Sequence, residues 1–330
     1  MKAIRYYAPE DIRVEDLPVP VPAEGEALIK VLYGGICGSD LHNYTLGMFM
    51  TYAPETIGHE FIGLIESAPE GSGFEKGDMV TANPSVFCLE CEPCKKGDYI
   101  HCEGIGFLGE VRPGSDAEYV ALPVDTLIKV DGGIDPIEGA VIEPLAVAHH
   151  ACKTAAVYLD GGDAAVFGCG PIGLLIAYLL KEMYHVSKVV LIDMNEKRVE
   201  QAKKAGFEEV GTSIDQFPGE YTLTVDTTGA GPALDAEAAI LQPLGTMVVM
   251  SIFEKLPVFD MNMLVNKEIR LVGATLYTPE EMKEAARIVE SGDYNFRWLV
   301  TKIAAPEEAP ETFKDLREKR EDLKVLFDFT

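Results

Sequence analysis

Basic residues are scarce in this chain: 28 lysines and arginines stand against 54 aspartates and glutamates, for a formal net charge of -26. Such a surplus repels phosphate backbones, and no local basic face offsets it, so nucleic acid is not an expected partner. Long apolar runs are missing as well, none approaching the roughly 20 residues that cross a bilayer as a helix. The opening Met1-Lys2-Ala3-Ile4-Arg5 leads into no signal-like apolar stretch, so a cytoplasmic protein with no membrane partner is expected. Internal repeats and low-complexity tracts are absent too. Cysteine is limited to seven, and in a cytosolic-looking chain thiols argue for metal ligation over disulfides.

What is present is an ordinary soluble composition, 47% hydrophobic and 25% charged, which speaks against disorder. With domains commonly of about 100–200 residues, a chain of 330 divides into two more readily than it forms one.

The chemistry starts at Cys37-Gly38-Ser39-Asp40-Leu41-His42 and resumes at Gly58-His59-Glu60. A thiolate, an imidazole and a carboxylate are the three donor types that zinc accepts, and three protein donors leave a position open for water or substrate. The order of elements around them is that of short strands. Ala3 to Tyr6, Ile12 to Val14 and Ala27 to Leu32 are apolar runs separated by Pro18-Val19-Pro20-Val21-Pro22, and Phe61 to Ile65 and Met79 to Ala82 continue the pattern. Proline-rich turns between short strands predict an irregular β-barrel. Asp116 to Leu122 and Leu127 to Val130 read as further strands of it.

Within that region lies Cys88-x2-Cys91-x2-Cys94-x7-Cys102. Four thiols so close in sequence wrap one tetrahedral ion and leave no position open, which makes this a structural zinc. An iron-sulfur cluster is the rival, because Cys-x2-Cys-x2-Cys also begins a ferredoxin run. That run places its fourth cysteine after three residues and follows it with proline, whereas here seven residues intervene and Glu103 follows.

Alanine-rich helical sequence begins just after Pro144, which puts Glu143 at a domain junction. Past residue 160 the pattern changes to a buried strand, Ala164 to Phe167, then Gly168-Cys169-Gly170-Pro171-Ile172-Gly173, an apolar helix from Leu174 to Tyr184, and a strand Val189 to Ile192 ending in Asp193. Strand, glycines, helix, strand and terminal acid form the dinucleotide fingerprint. The first two glycines admit a pyrophosphate to the helix N-terminus, and the third lets helix pack on strand. Asp193 would accept from the ribose hydroxyls and repel a 2′-phosphate, so NAD is expected over NADP. A helix from Asn195 to Ala205, a strand after it, and strands at Leu223 to Asp226, Thr246 to Ser251 and Ile269 to Ala274 bring the sheet to about six strands. A capping box at Thr278-Pro279-Glu280-Glu281 starts a helix that stops at Gly292, Glu307 to Lys319 reads as another, and Val325 to Phe329 as a last strand.

Taken together these motifs make the chain resemble the zinc-dependent medium-chain dehydrogenases over essentially its whole length, in particular the polyol branch of sorbitol, xylitol, threonine and butanediol dehydrogenases. The resemblance implies an α/β protein: a GroES-like β-barrel catalytic domain (1–147, with the zinc lobe 88–102), a Rossmann domain with a doubly wound parallel sheet (148–275), and a C-terminal return to the barrel (276–330). It implies Cys37 and His59 as catalytic zinc ligands, Glu60 as the third ligand, and Glu143 where classical alcohol dehydrogenases carry a cysteine. Which glutamate ligates at rest stays open. It further implies Asp40 orienting His59, a proton relay through Ser39 and His42, Arg198 over the adenosine ribose, and Tyr44, Phe49 and Phe107 along the substrate pocket. The implied reaction is NAD-linked oxidation of an alcohol or polyol, with a hydroxy amino acid such as threonine, or a non-catalytic NAD sensor, as the competing readings. Relatives pair their nucleotide sheets edge to edge, so a homodimer or homotetramer is implied through Ile269 to Ala274.

Overall fold

A computed structural model describes every residue of the chain except Asp160. The chain forms two compact units, one of residues 1–144 with 278–330, the other of residues 145–277.

In the first unit the two ends of the chain share one sheet. The strand Glu26–Gly35 pairs antiparallel with Glu60–Ser67, with Tyr119–Pro123 and with the near-terminal strand Lys324–Asp328. Val300–Ala304, Met79–Ala82 and Leu127–Lys129 extend this sheet, and Lys2–Ala8, Asp11–Asp16 and Glu55–Thr56 form a second one. Ile4, Ile29, Val31, Ile57, Phe61, Val80, Phe313 and Phe327 close the space around them as one apolar core. Because strand side chains alternate, Val325, Phe327 and Phe329 enter that core and Lys324 and Leu326 fall on the other face. The strand expected from Asp116 begins only at Tyr119, and the chain from Gly114 to Asp116 is a loop laid against Thr56, Ile57 and Gly58.

The second unit has a parallel six-stranded sheet in the order Val210–Gly211, Val189–Ile192, Ala164–Phe167, Tyr221–Asp226, Leu241–Val249, Arg270–Gly273. This is the doubly wound order expected from the motifs. Helix Pro171–Glu182 starts three residues before the expected Leu174, with Gly170 as N-cap and proline at the first position, where the missing N–H would have had no helical partner. Asn195 caps Glu196–Lys204 through its side chain.

Two further boundaries differ from the sequence reading. Helix Ile142–Ala156 begins before Pro144, so Glu143 sits in its first turn and not ahead of it; the first-turn amides are unpaired in any helix, so proline is tolerated there. The region from Glu307 to Lys319 divides into a 3-10 turn, Pro306–Glu308, and a helix, Ala309–Glu318. Thr278 caps Pro279–Ser291 in a full capping box and Gly292 ends it in the left-handed region.

Candidate functional site

Cys37 ends the run Gly34-Gly35-Ile36 and is the N-cap of helix Gly38–Leu46. His59 directly precedes the strand Glu60–Ser67, whose first residue, Glu60, pairs with Gly35. Antiparallel pairing thus brings two distant motifs together. One ligand atom from each of Cys37, His59 and Glu60 lies within 4.8 Å of the others, and His59 and Glu60 are buried. Glu143 is not in that set, yet its charge, with that of Asp40 and the influence of the Cys37 sulfur, acts on the imidazole. Burial disfavours a charged His59, but these anions outweigh it and raise its pKa well above the ordinary value. A site that draws positive charge this strongly suits a cation.

Asp40 does not hold His59 by a hydrogen bond. Its Oδ1 is 3.8 Å from Nδ1, too long for one, while its Oδ2 accepts from the backbone amide of Cys37 at 2.8 Å. Its direct work is to cap the helix on which Ser39 and His42 ride. Those two residues, three apart on that helix, share a face. Phe107 stands edge-on to the imidazole with ring centroids 6.0 Å apart. Tyr44, expected beside the pocket, is instead a core residue against Phe313. The backbone amide of Phe49 is pinned by the Asn43 side chain at 2.8 Å.

Two residues escaped the sequence reading. Lys324 is fully buried, and its Nζ donates to Glu60 Oε2 and Oε1 at 2.6 and 2.8 Å and to the carbonyl of Ile36 at 2.9 Å. Gly35 makes this possible, since a Cβ there would lie 2.6 Å from Glu60 Oε2. Burial opposes the ammonium charge, but Glu60 and Cys37 overcome it and raise the pKa. Glu110 is the second, a carboxyl pushed up to about 7 by burial near His59 and Asp40. Its Oε1 lies 3.5 Å from Asn43 Nδ2. The only sequence signal for Lys324 was its place at the head of an apolar strand. Glu110 had none.

The four cysteines of the lobe gather their sulfurs within 4.8 Å of one another, and all are free thiols. Backbone amides of Glu90 and Cys91 lower the Cys88 thiol to about 6, towards the thiolate that binds metal.

In the second unit the glycine turn lies at the carboxyl end of the sheet. A Cβ on Gly173 would meet the Gly168 carbonyl oxygen at 2.0 Å, so the helix reaches the strand only with glycine there. Asp193 accepts from the amides of Cys169 and Asn195, each at 2.9 Å, and Arg198 stands 3.7 Å from it. Two of its four lone-pair directions thereby anchor the loop, leaving the others for a ligand.

Residues 23–132 match the alcohol dehydrogenase GroES-like domain, and residues 171–291 match the zinc-binding dehydrogenase family. D-xylulose reductase A of Aspergillus niger is 31% identical over 327 residues, covering 93% of this chain and 90% of that protein. The crystal structure of 2R,3R-butanediol dehydrogenase from Bacillus subtilis is 29% identical and superposes with a TM-score of 0.88 over 99% of both chains. An alcohol dehydrogenase of Escherichia coli CFT073, crystallised with NADH, is 26% identical with a TM-score of 0.89, again over 99% of each chain.

Proposed function

The chain belongs to the zinc-binding medium-chain alcohol dehydrogenases, in their polyol branch, and from that premise we propose that it oxidises a secondary hydroxyl of a vicinal diol or polyol to a ketone with NAD. The observation that carries this reading is the convergence of Cys37, His59 and Glu60, three donors of mixed type within 4.8 Å of one another. That donor set fits zinc, and three donors make an open site. When bound, zinc supplies Lewis acidity to the substrate oxygen and NAD accepts the hydride.

The residues of the chain do the rest. Cys37 and His59 hold the metal, joined by Glu60 or by Glu143. Both Glu60 oxygens accept from Lys324, so ammonium and metal compete for them, and Glu143 is the carboxylate that serves while Glu60 stays with Lys324. A carboxylate-rich, hard site favours a substrate offering two adjacent hydroxyls. Ser39 takes the hydroxyl proton and His42 passes it to solvent, a general-base relay along one helix face. Asp40 fixes the start of that helix through the Cys37 amide.

In the second unit Gly168, Gly170, Pro171, Ile172 and Gly173 form the turn that receives the pyrophosphate at the N-terminus of helix Pro171–Glu182. Asp193 accepts from the ribose hydroxyls and disfavours a 2′-phosphate, and Arg198 packs beside it. Cys88, Cys91, Cys94 and Cys102 hold a second, structural zinc.

The same reading makes the protein a homodimer or homotetramer. Support comes from the strand Arg270–Gly273, which among the described residues has a sheet neighbour on one side only, and from exposed Leu244, Leu256, Val258, Met261 and Val265 in that unit. Exposed edges beside apolar surface favour pairing with another chain. No helix among the described residues is long and apolar enough to cross a membrane, and seven free thiols suit the cytoplasm, where we place it.

Metal analysis tests the reading. The parent protein is expected to hold two zinc ions per chain and Cys37→Ala one, with NADH binding unchanged. A single ion in both proteins would overturn it.

A further inference from the structure

Asp116 is fully buried, and neither of its carboxyl oxygens has a hydrogen-bond partner among the described residues. An unpaired buried carboxyl is costly, so its position is enforced by what surrounds it. The backbone around it is laced to the segment that leads into His59: Gly114 N–H donates to the Thr56 carbonyl at 2.7 Å, Ser115 N–H to Gly58 at 3.0 Å, and Asp116 N–H to Ile57 at 2.8 Å. The Asp116 carbonyl in turn accepts from Ile4 N–H at 2.8 Å.

The side chain then enters a space that two glycines leave open. A Cβ on Gly58 would lie 2.4 Å from Asp116 Cγ and Oδ1, and one on Gly34 would lie 2.5 Å from Oδ1. Gly58 immediately precedes His59, and Gly34 lies three residues before Cys37. We propose that the Asp116 carboxyl is a positioning wedge, setting the separation of the backbone segments that carry Cys37 and His59 and so the geometry of that donor pair. The proposal rests on the metal reading above for what the pair holds.

A wedge acts by shape. Burial, reinforced by the Asp40 carboxylate, raises the pKa of the Asp116 carboxyl well above the usual range and so favours its neutral form. Asparagine therefore reproduces it in size and charge, whereas alanine removes it. Close packing makes interiors intolerant of such a loss, and outer residues that fix a ligand's position typically alter metal affinity by about 10–100-fold.

The test follows zinc release from the full-length, zinc-loaded protein to a chelator with a colour indicator, Cys37→Ala protein marking the phase that belongs to the four-cysteine lobe. D116A is expected to release the Cys37-dependent ion about tenfold faster or more, with the four-cysteine phase and NADH affinity unchanged, and D116N is expected to stay near the parent rate. Unchanged release from D116A overturns the wedge, as does a D116N protein as leaky as D116A. If D116A does not fold, G34A gives the second arm: the added methyl group would lie 2.5 Å from Oδ1, crowd the wedge and speed release of the Cys37-dependent ion. Release from G34A at the parent rate would contradict the proposal. A parent protein with no Cys37-dependent zinc would sink the metal reading itself, and the wedge with it.

Discussion

The Nζ of Lys324 donates to both oxygens of Glu60, at 2.6 and 2.8 Å, across 264 positions of sequence. A strand from the end of the chain thereby supplies the counter-charge to a carboxylate that sits beside His59. Because the same Nζ reaches the Ile36 carbonyl, one ammonium ties together the segments that end in Cys37 and begin with His59. Both partners are buried, so removing one leaves a charge with no compensation.

Lys324→Met should therefore cost about 3–5 kcal/mol, the usual penalty for breaking a buried ion pair from one side. Denaturant unfolding of protein stripped of the catalytic zinc measures it, since a bound ion would itself compensate Glu60. The double variant Glu60→Gln/Lys324→Met should lose clearly less than the two single losses combined; simple additivity would mean the pair is not coupled.

Most of the site was legible in the sequence because its donors lie in short motifs whose spacing has chemical meaning. Cys37 to His42, Gly58 to Glu60, the four cysteines and the glycine turn each state their chemistry locally, and the six-stranded sheet followed from alternating buried strands and helices. What stayed hidden depends on contacts between distant segments. Lys324 reads as an ordinary polar residue flanking a strand, since lysine is almost never fully buried unless paired, and its partner lies far off in sequence. Asp116 reads as the first residue of a strand; only the packing against Gly34 and Gly58 shows the carboxyl turned inward. Tyr44 erred the other way, since a tyrosine near a site motif is as readily a core residue, and here the core claims it.

Cys91→Ser should remove the structural zinc and lower the melting temperature, because a closed four-thiolate site contributes directly to folding. Metal content should fall by one ion per chain while NADH binding persists. A variant with full zinc and unaltered melting would show that the lobe is held by packing alone.

Glu237 gives a pH dependence in the second unit. It is fully buried, neither oxygen has a hydrogen-bond partner among the described residues, and burial together with the Asp226 carboxylate raises it well above the ordinary 4.5. With the folded-state pKa raised, the unfolded chain loses this proton first as pH rises. Stability therefore falls from about the ordinary carboxylate value up to the folded pKa. Glu237→Gln removes that penalty, so its unfolding free energy should exceed the parent's by a margin that grows across this window. A constant margin would show that Glu237 is ionised throughout.

Asp193→Ala should raise kcat/KM for NADP relative to NAD, since the carboxylate proposed to face the ribose is removed. The same change deletes the acceptors for the Cys169 and Asn195 amides, so a loss with both cofactors is expected beneath the shift in preference. An unchanged ratio would mean that Asp193 serves the loop only.

The most direct test of the central claim follows NADH absorbance with zinc-loaded protein, NAD and a panel of polyols, vicinal diols, sugar acids, threonine and simple alcohols, before and after chelation. The account predicts NAD reduction with a diol or polyol, lost on removal of the catalytic zinc and absent in Cys37→Ala protein that still binds NADH. Turnover that survives in fully zinc-free protein, or in Cys37→Ala, would contradict it.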